Sequence, residues 1–164
     1  MKQIVPRRNS LRYLLLFAVA VFSVACANDA AHQTTPAAAA QQEELDRKFM
    51  AMMNGVTMVG RSTSLSSDKV SGEEQYIIEK VSKLTGDTWL FQARFKYGAH
   101  DIPIPMPVQI HWAGDTPVIC VTDFAVPGMG AYTARVVLHN DQYAGTWNGK
   151  GYGGQMFGKL VRNR

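Results

Sequence analysis

Between Trp89 and Trp112 the chain alternates apolar and polar residues with a period of two, and only an extended backbone gives that pattern a face. Trp89, Phe91, Ala93, Phe95 and Tyr97 share one side, while Gln92, Arg94 and Lys96 share the other. Ile102, Ile104, Met106, Val108, Ile110 and Trp112 then alternate against Asp101, Pro103, Pro105, Pro107, Gln109 and His111. Tyr132, Ala134, Val136 and Leu138 repeat the pattern, and Tyr143, Gly145 and Trp147 continue it. One polar and one apolar face per strand argues against a parallel sheet, whose strands are apolar on both faces.

Turn residues punctuate these runs at Ser66-Ser67-Asp68, Thr85-Gly86-Asp87, Gly98–Asp101, Ala113-Gly114-Asp115, Pro127-Gly128, Asn140-Asp141 and Asn148-Gly149. The spacing predicts about eight strands, at 55–65, 73–84, 88–97, 102–112, 117–126, 130–139, 142–148 and 152–162. Short turns between one-faced strands imply an all-β fold, an antiparallel meander closing into a small, lipocalin-like barrel over 54–164. Pro103, Pro105 and Pro107 fall on one flank of their strand and all lack the N–H donor. That flank cannot carry an ordinary ladder, so the barrel is expected to open there. The same prolines protect the edge from pairing with another chain.

Upstream of the strands, Leu45, Phe49, Met52 and Met53 form one stripe of a short amphipathic helix, 43–53, which Asn54-Gly55 terminates. Its expected role is to cover one end of the barrel. Residues 26–42 are rich in Ala, Gln and Thr, have too little apolar surface to offset their ordering entropy, and read as a disordered tether. Residues 1–25 read as a secretory signal peptide: Lys2, Arg7, Arg8 and Arg12 precede an apolar run of 12 residues, Leu14 to Ala25. Such a run is shorter than the roughly 20 residues that span a bilayer. Ser23-Val24-Ala25-Cys26 resembles a lipobox, with Ser23 where an aliphatic residue is usual, and Ala25-Cys26-Ala27 fits ordinary signal peptidase. We take the first reading, in which Cys26 is lipidated and anchors the protein to a membrane in the periplasm or at the outer membrane.

The formal charge of +4 belongs to the leader, because four of the 17 Lys and Arg residues lie there without any acid. The remainder carries 13 basic and 13 acidic residues and no basic run after residue 48, which argues against nucleic acid as a partner. With Cys26 lipidated or removed, Cys120 has no disulfide partner, and its apolar run Val118–Val121 reads as that of a buried, inert thiol.

No catalytic set emerges. Gly149-Lys150-Gly151-Tyr152-Gly153-Gly154 matches G-x-G-x-x-G, but the helix and downstream acid that dinucleotide binding requires are missing, so a hairpin turn is expected. His32, His100, His111 and His139 have no metal-ligand spacing, and there is no G-x-S-x-G. Asp123 is unusual within an apolar strand and reads as the start of a bend. No catalytic residue, metal or cofactor is therefore assigned. The inward rings are the one feature with binding potential, and Trp89, Phe91, Phe95, Trp112, Tyr132 and Trp147 are the candidate ligand-binding residues. A barrel of eight strands is just wide enough to be filled by its own side chains or to hold one small ligand. The number of rings favours a filled core, and a residual apolar pocket is the alternative.

Tyr143-Ala144-Gly145-Thr146-Trp147 followed by Gly153-Gly154-Gln155-Met156-Phe157-Gly158 resembles a C-terminal GTW and GG-x-x-FG element of a group of uncharacterised exported bacterial proteins. The resemblance covers about residues 41 to 164 and implies export without implying an activity. Eight-strand meanders with a G-x-W motif are also similar, more loosely, to lipocalin- and avidin-like barrels. Those carry the motif on their first strand, whereas Gly145-Thr146-Trp147 lies near the end, so none of their ligand residues is carried over. The expectation is a non-enzymatic envelope barrel that binds a small apolar ligand or an envelope partner. A filled-core interaction module and an envelope hydrolase are the alternatives.

Overall fold

The computed structural model of the chain describes residues 35–97 and 99–163. The signal peptide, Cys26 and residues 27–34 of the tether lie outside the described residues, as do His32 and the side chains of Asp68, Tyr97 and His100. One helix, α1 (Pro36–Met53), precedes nine strands. These are β1 (Val56–Ser64), β2 (Ser67–Val70), β3 (Glu74–Thr85), β4 (Thr88–Tyr97), β5 (His100–Ala113), β6 (Thr116–Val126), β7 (Gly130–His139), β8 (Gln142–Gly149) and β9 (Tyr152–Arg162). Among the described residues no helix is long and apolar enough to cross a membrane.

Consecutive strands pair antiparallel from β3 to β9, and β1 pairs with both β3 and β9. Eight strands thus close a barrel, as the meander predicts. The ninth, β2, is a short hairpin extension of β1 that occupies the flank β3 has left. The Ser66-Ser67-Asp68 turn signal marks it, but four residues without an apolar face gave no strand pattern to read. Inward alternation holds along β5, where Ile104, Met106, Val108 and Ile110 are buried and Pro103, Pro105, Pro107 and Gln109 are exposed.

β5 pairs with β4 from His100 to Gln109 but with β6 only from Gln109 to Ala113. The three prolines lie in the part that β6 does not join. A strand missing three successive donors on one flank cannot hold a neighbour there, and a seam opens between the first half of β5 and the second half of β6. Asp123 sits at the irregularity in the β6–β7 ladder with φ 48, and Thr133 Oγ1 accepts from its N–H at 3.1 Å. It is a bulge residue that bends β6 away at this seam.

α1 corrects two expectations. It starts at Pro36 rather than at 43, so residues 36–42 are helical and not tether. Thr35 is its N-cap, with Oγ1 accepting from Ala38 N–H, and Pro36 follows at the first turn. Four alanines, the strongest helix formers, then carry the helix to the first buried residue. The second correction concerns the buried stripe, which is Asp46, Phe49 and Met53, with Leu45 and Met52 only half-buried. Asp46 is accommodated because Lys83 pairs with its carboxylate and Gln42 donates to it at 2.8 Å.

The helix closes one end of the barrel. Phe49 meets Trp89 edge-on with ring centroids 5.0 Å apart, and lies 6.1 Å from both Phe91 and Trp112. Arg162 of the last strand donates to the carbonyls of Ala51 (2.7 Å) and Asn54 (3.1 Å), satisfying the helix C-terminus. Val81 N–H donates to Asn54 Oδ1 at 2.6 Å, tying the helix stop to β3. Phe49 and Met53 are wholly buried. Phe49→Ala is expected to destabilise the protein by about 3–5 kcal/mol, as removal of a buried ring does. A lower urea midpoint at unchanged slope would register it; an unchanged midpoint would mean the helix does not plug the barrel.

Candidate functional site

The helix fills one end, so the interior that remains lies toward the other. There the strands enclose a half-open cavity of about 440 Å³. The volume falls within the range of small-molecule sites. Its walls are mostly aliphatic or thioether side chains, including Met58, Ile78, Met106, Ile119, Val136 and Met156. Around the open end stand rings from five strands: Tyr76 of β3, Phe95 of β4, Phe124 of β6, Tyr132 of β7 and Trp147 of β8. Tyr152 at the start of β9 completes this rim, its hydroxyl 2.7 Å from that of Tyr132.

The six candidate ligand-binding residues divide into two groups. Phe91, Phe95, Tyr132 and Trp147 line the cavity. Trp89 and Trp112 face Phe49 at the closed end and belong to the plug. Alternation placed all six in the interior, but which end each ring fills depends on where the helix docks. The expectation of a filled core is therefore met at one end only, where Phe49 and Met53 complete the packing.

Two polar features escaped the sequence reading. Glu74, the charged residue that opens β3, lines the cavity. Its Oε1 accepts from Ser62 Oγ at 2.6 Å, and its Oε2 accepts from Tyr76 hydroxyl at 2.8 Å. Ser62 is buried, held on β1 where that strand pairs with Met156. Residue 74 opens β3 with its side chain on the inward face, two positions before Tyr76, and that register was the available signal.

The second feature is Tyr143. Gly60 of β1 and Gly158 of β9 are paired opposite each other, and Gly158 also pairs with Tyr143 of β8. A Cβ on Gly60 would run into the Tyr143 hydroxyl, and one on Gly158 would lie 2.7 Å from its ring. The phenol therefore lies over two glycines, filling the space of two absent side chains. Its hydroxyl is buried without a hydrogen-bond partner, as is the Trp147 indole N–H. Burial, and after it the charge of Glu74, push the Tyr143 phenol from 10.0 up to about 12.

Elsewhere, the remaining sequence candidates are spread over the surface. His111 is exposed, with Nδ1 3.6 Å from Asp87, and His139 is exposed at the end of β7. The G-x-G-x-x-G segment is the β8–β9 hairpin, with Gly151 at φ 80 in the turn. Cys120 is buried. Among the described residues no three His, Cys, Asp or Glu side chains gather as a metal site. Compared with protein-family models, with curated proteins and with solved structures, the chain matches none of them.

The elevated phenol links stability to pH. The unfolded chain releases this proton near 10.0 and the folded chain near 12, so the native state holds it more tightly. This contribution is complete below the unfolded value and is lost as pH rises through the folded one. Urea stability is thus expected to fall between about pH 10 and 12, and Tyr143→Phe to remove part of that fall. An identical alkaline profile in the variant would refute the assignment.

Proposed function

We propose that this chain is a non-enzymatic protein of the bacterial cell envelope whose barrel binds one small, largely apolar ligand. The observation that carries the reading is the half-open cavity of about 440 Å³, closed at the helix end and ringed by aromatic side chains at the other. The apolar walls let the part of a molecule that enters them leave water, at about 25 cal/mol for each Å² removed from it. The rings offer flat, rigid contact surface at low entropic cost. Export by the leader and lipidation of Cys26, followed by a spacer, would hold this cavity near a membrane in the periplasm or at the outer membrane.

Native mass spectrometry of the protein extracted gently from its own envelope tests the reading. A discrete added mass that disappears on denaturation is the expected result. The purified protein should also take up an apolar fluorescent probe, and Ala134→Phe, which puts a ring into the cavity from β7, should weaken that uptake at least about tenfold. Finding no added mass, together with no probe uptake by a folded protein, would refute it.

A further inference from the structure

Glu74 is the only charged residue among the described residues that line the cavity. No lysine, arginine or histidine among the described residues forms an ion pair with it. Ser62 and Tyr76 each donate one hydrogen bond to it, one per carboxylate oxygen. An ionised carboxylate accepts but does not donate, and has about four acceptor positions, so about two remain. The two hydroxyls fix its orientation without neutralising it. The rings of Tyr76, Phe95, Phe124 and Tyr132 line the same cavity, and aromatic rings attract a cation where an anion would be repelled. A carboxylate in such a place repels an anionic head group and gains a charge-assisted hydrogen bond from a cationic one.

We infer that the ligand is a cationic amphiphile: an apolar chain or ring system that fills the cavity, bearing a protonated nitrogen that donates to Glu74 among the rim aromatics. This rests on the reading of the cavity as a ligand site and adds the chemistry of the head group. The apolar part lies against Met58, Met106, Ile119 and Met156, where flexible thioethers adapt to its shape. The nitrogen lies toward the open end, so the ligand enters tail first and its charge is desolvated only where the carboxylate meets it.

Decylamine, decanol and decanoate share one tail and differ in the head, and calorimetric titration of the purified protein with all three separates the two claims. The expected order is amine, then alcohol, then carboxylate, with the amine at least about tenfold tighter than the alcohol, as a charge-assisted bond replaces a neutral one. Glu74→Gln, its folding checked by thermal melting, should bring the amine to within about threefold of the alcohol and leave alcohol binding nearly unchanged. Equal binding of all three probes would overturn the head-group inference and leave the apolar cavity standing. Failure of all three to bind would overturn the cavity reading itself, and the inference with it. Amine preference that survives in the Gln variant would overturn the role of Glu74. If that variant does not fold, the order of the three probes in the unaltered chain decides.

Discussion

Closure of the barrel depends on β1 meeting β9 from the two ends of the strand-forming segment, Val56 opposite Arg162 to Ser62 opposite Met156. Loop closure at such separation is entropically costly and has to be offset by what it joins. The seven registered pairs supply backbone hydrogen bonds, and the Gly60–Gly158 pair lets the two strands approach under the ring of Tyr143. A closed ring of strands has no edges to protect on this side. Closure lets Arg162 reach the carbonyls at the end of α1, while the pairing of β1 with β3 brings Ser62 next to Glu74.

The two ends of the barrel use the same residue types for opposite purposes. At the closed end one inserted ring, Phe49, draws Trp89, Phe91 and Trp112 into a packed group. At the other end Tyr132, Trp147 and Tyr152 pack edge-on or tilted against one another around the rim, their centroids 5.7 to 6.4 Å apart. Among the described residues the interior there is a cavity and not a packed core. The difference is the helix, which supplies a plug to one end alone. The proline seam between β5 and β6 belongs to the hollow half, where Met106, Val121 and Phe124 line the cavity. The barrel is therefore firmest where the helix docks and least laced by hydrogen bonds where the cavity opens.

Much of the architecture was legible in the residues. Side chains alternate faces along every strand, so period-two runs mark strands directly, and the turn residues set their ends. The proline flank was equally readable, because a missing N–H is a property of the residue itself. The start of α1 was missed: Thr35-Pro36 followed by four alanines is a helix entry, but an apolar stripe was needed to see it and the alanines provide none. Of the candidate ligand residues, Phe91, Phe95, Tyr132 and Trp147 line the cavity, while Trp89 and Trp112 serve the plug. Glu74 was missed as a cavity residue: its register with Tyr76 gave its direction, but a charged residue at a strand start carries no sign that a cavity lies beneath it.

The sequence by itself determined the all-β class, the antiparallel order of strands, the place where the ladder fails and the inward set of rings. These follow from backbone donors and from side-chain periodicity, which are local properties. Only the tertiary structure decided that the barrel is hollow at one end, that Asp46 belongs to a buried helix face, and that Glu74 stands as a charged group in an apolar cavity. Each of those depends on which surfaces remain unfilled after α1 has docked and β1 has met β9. Volume left over between distant segments has no signature in the order of the residues that enclose it.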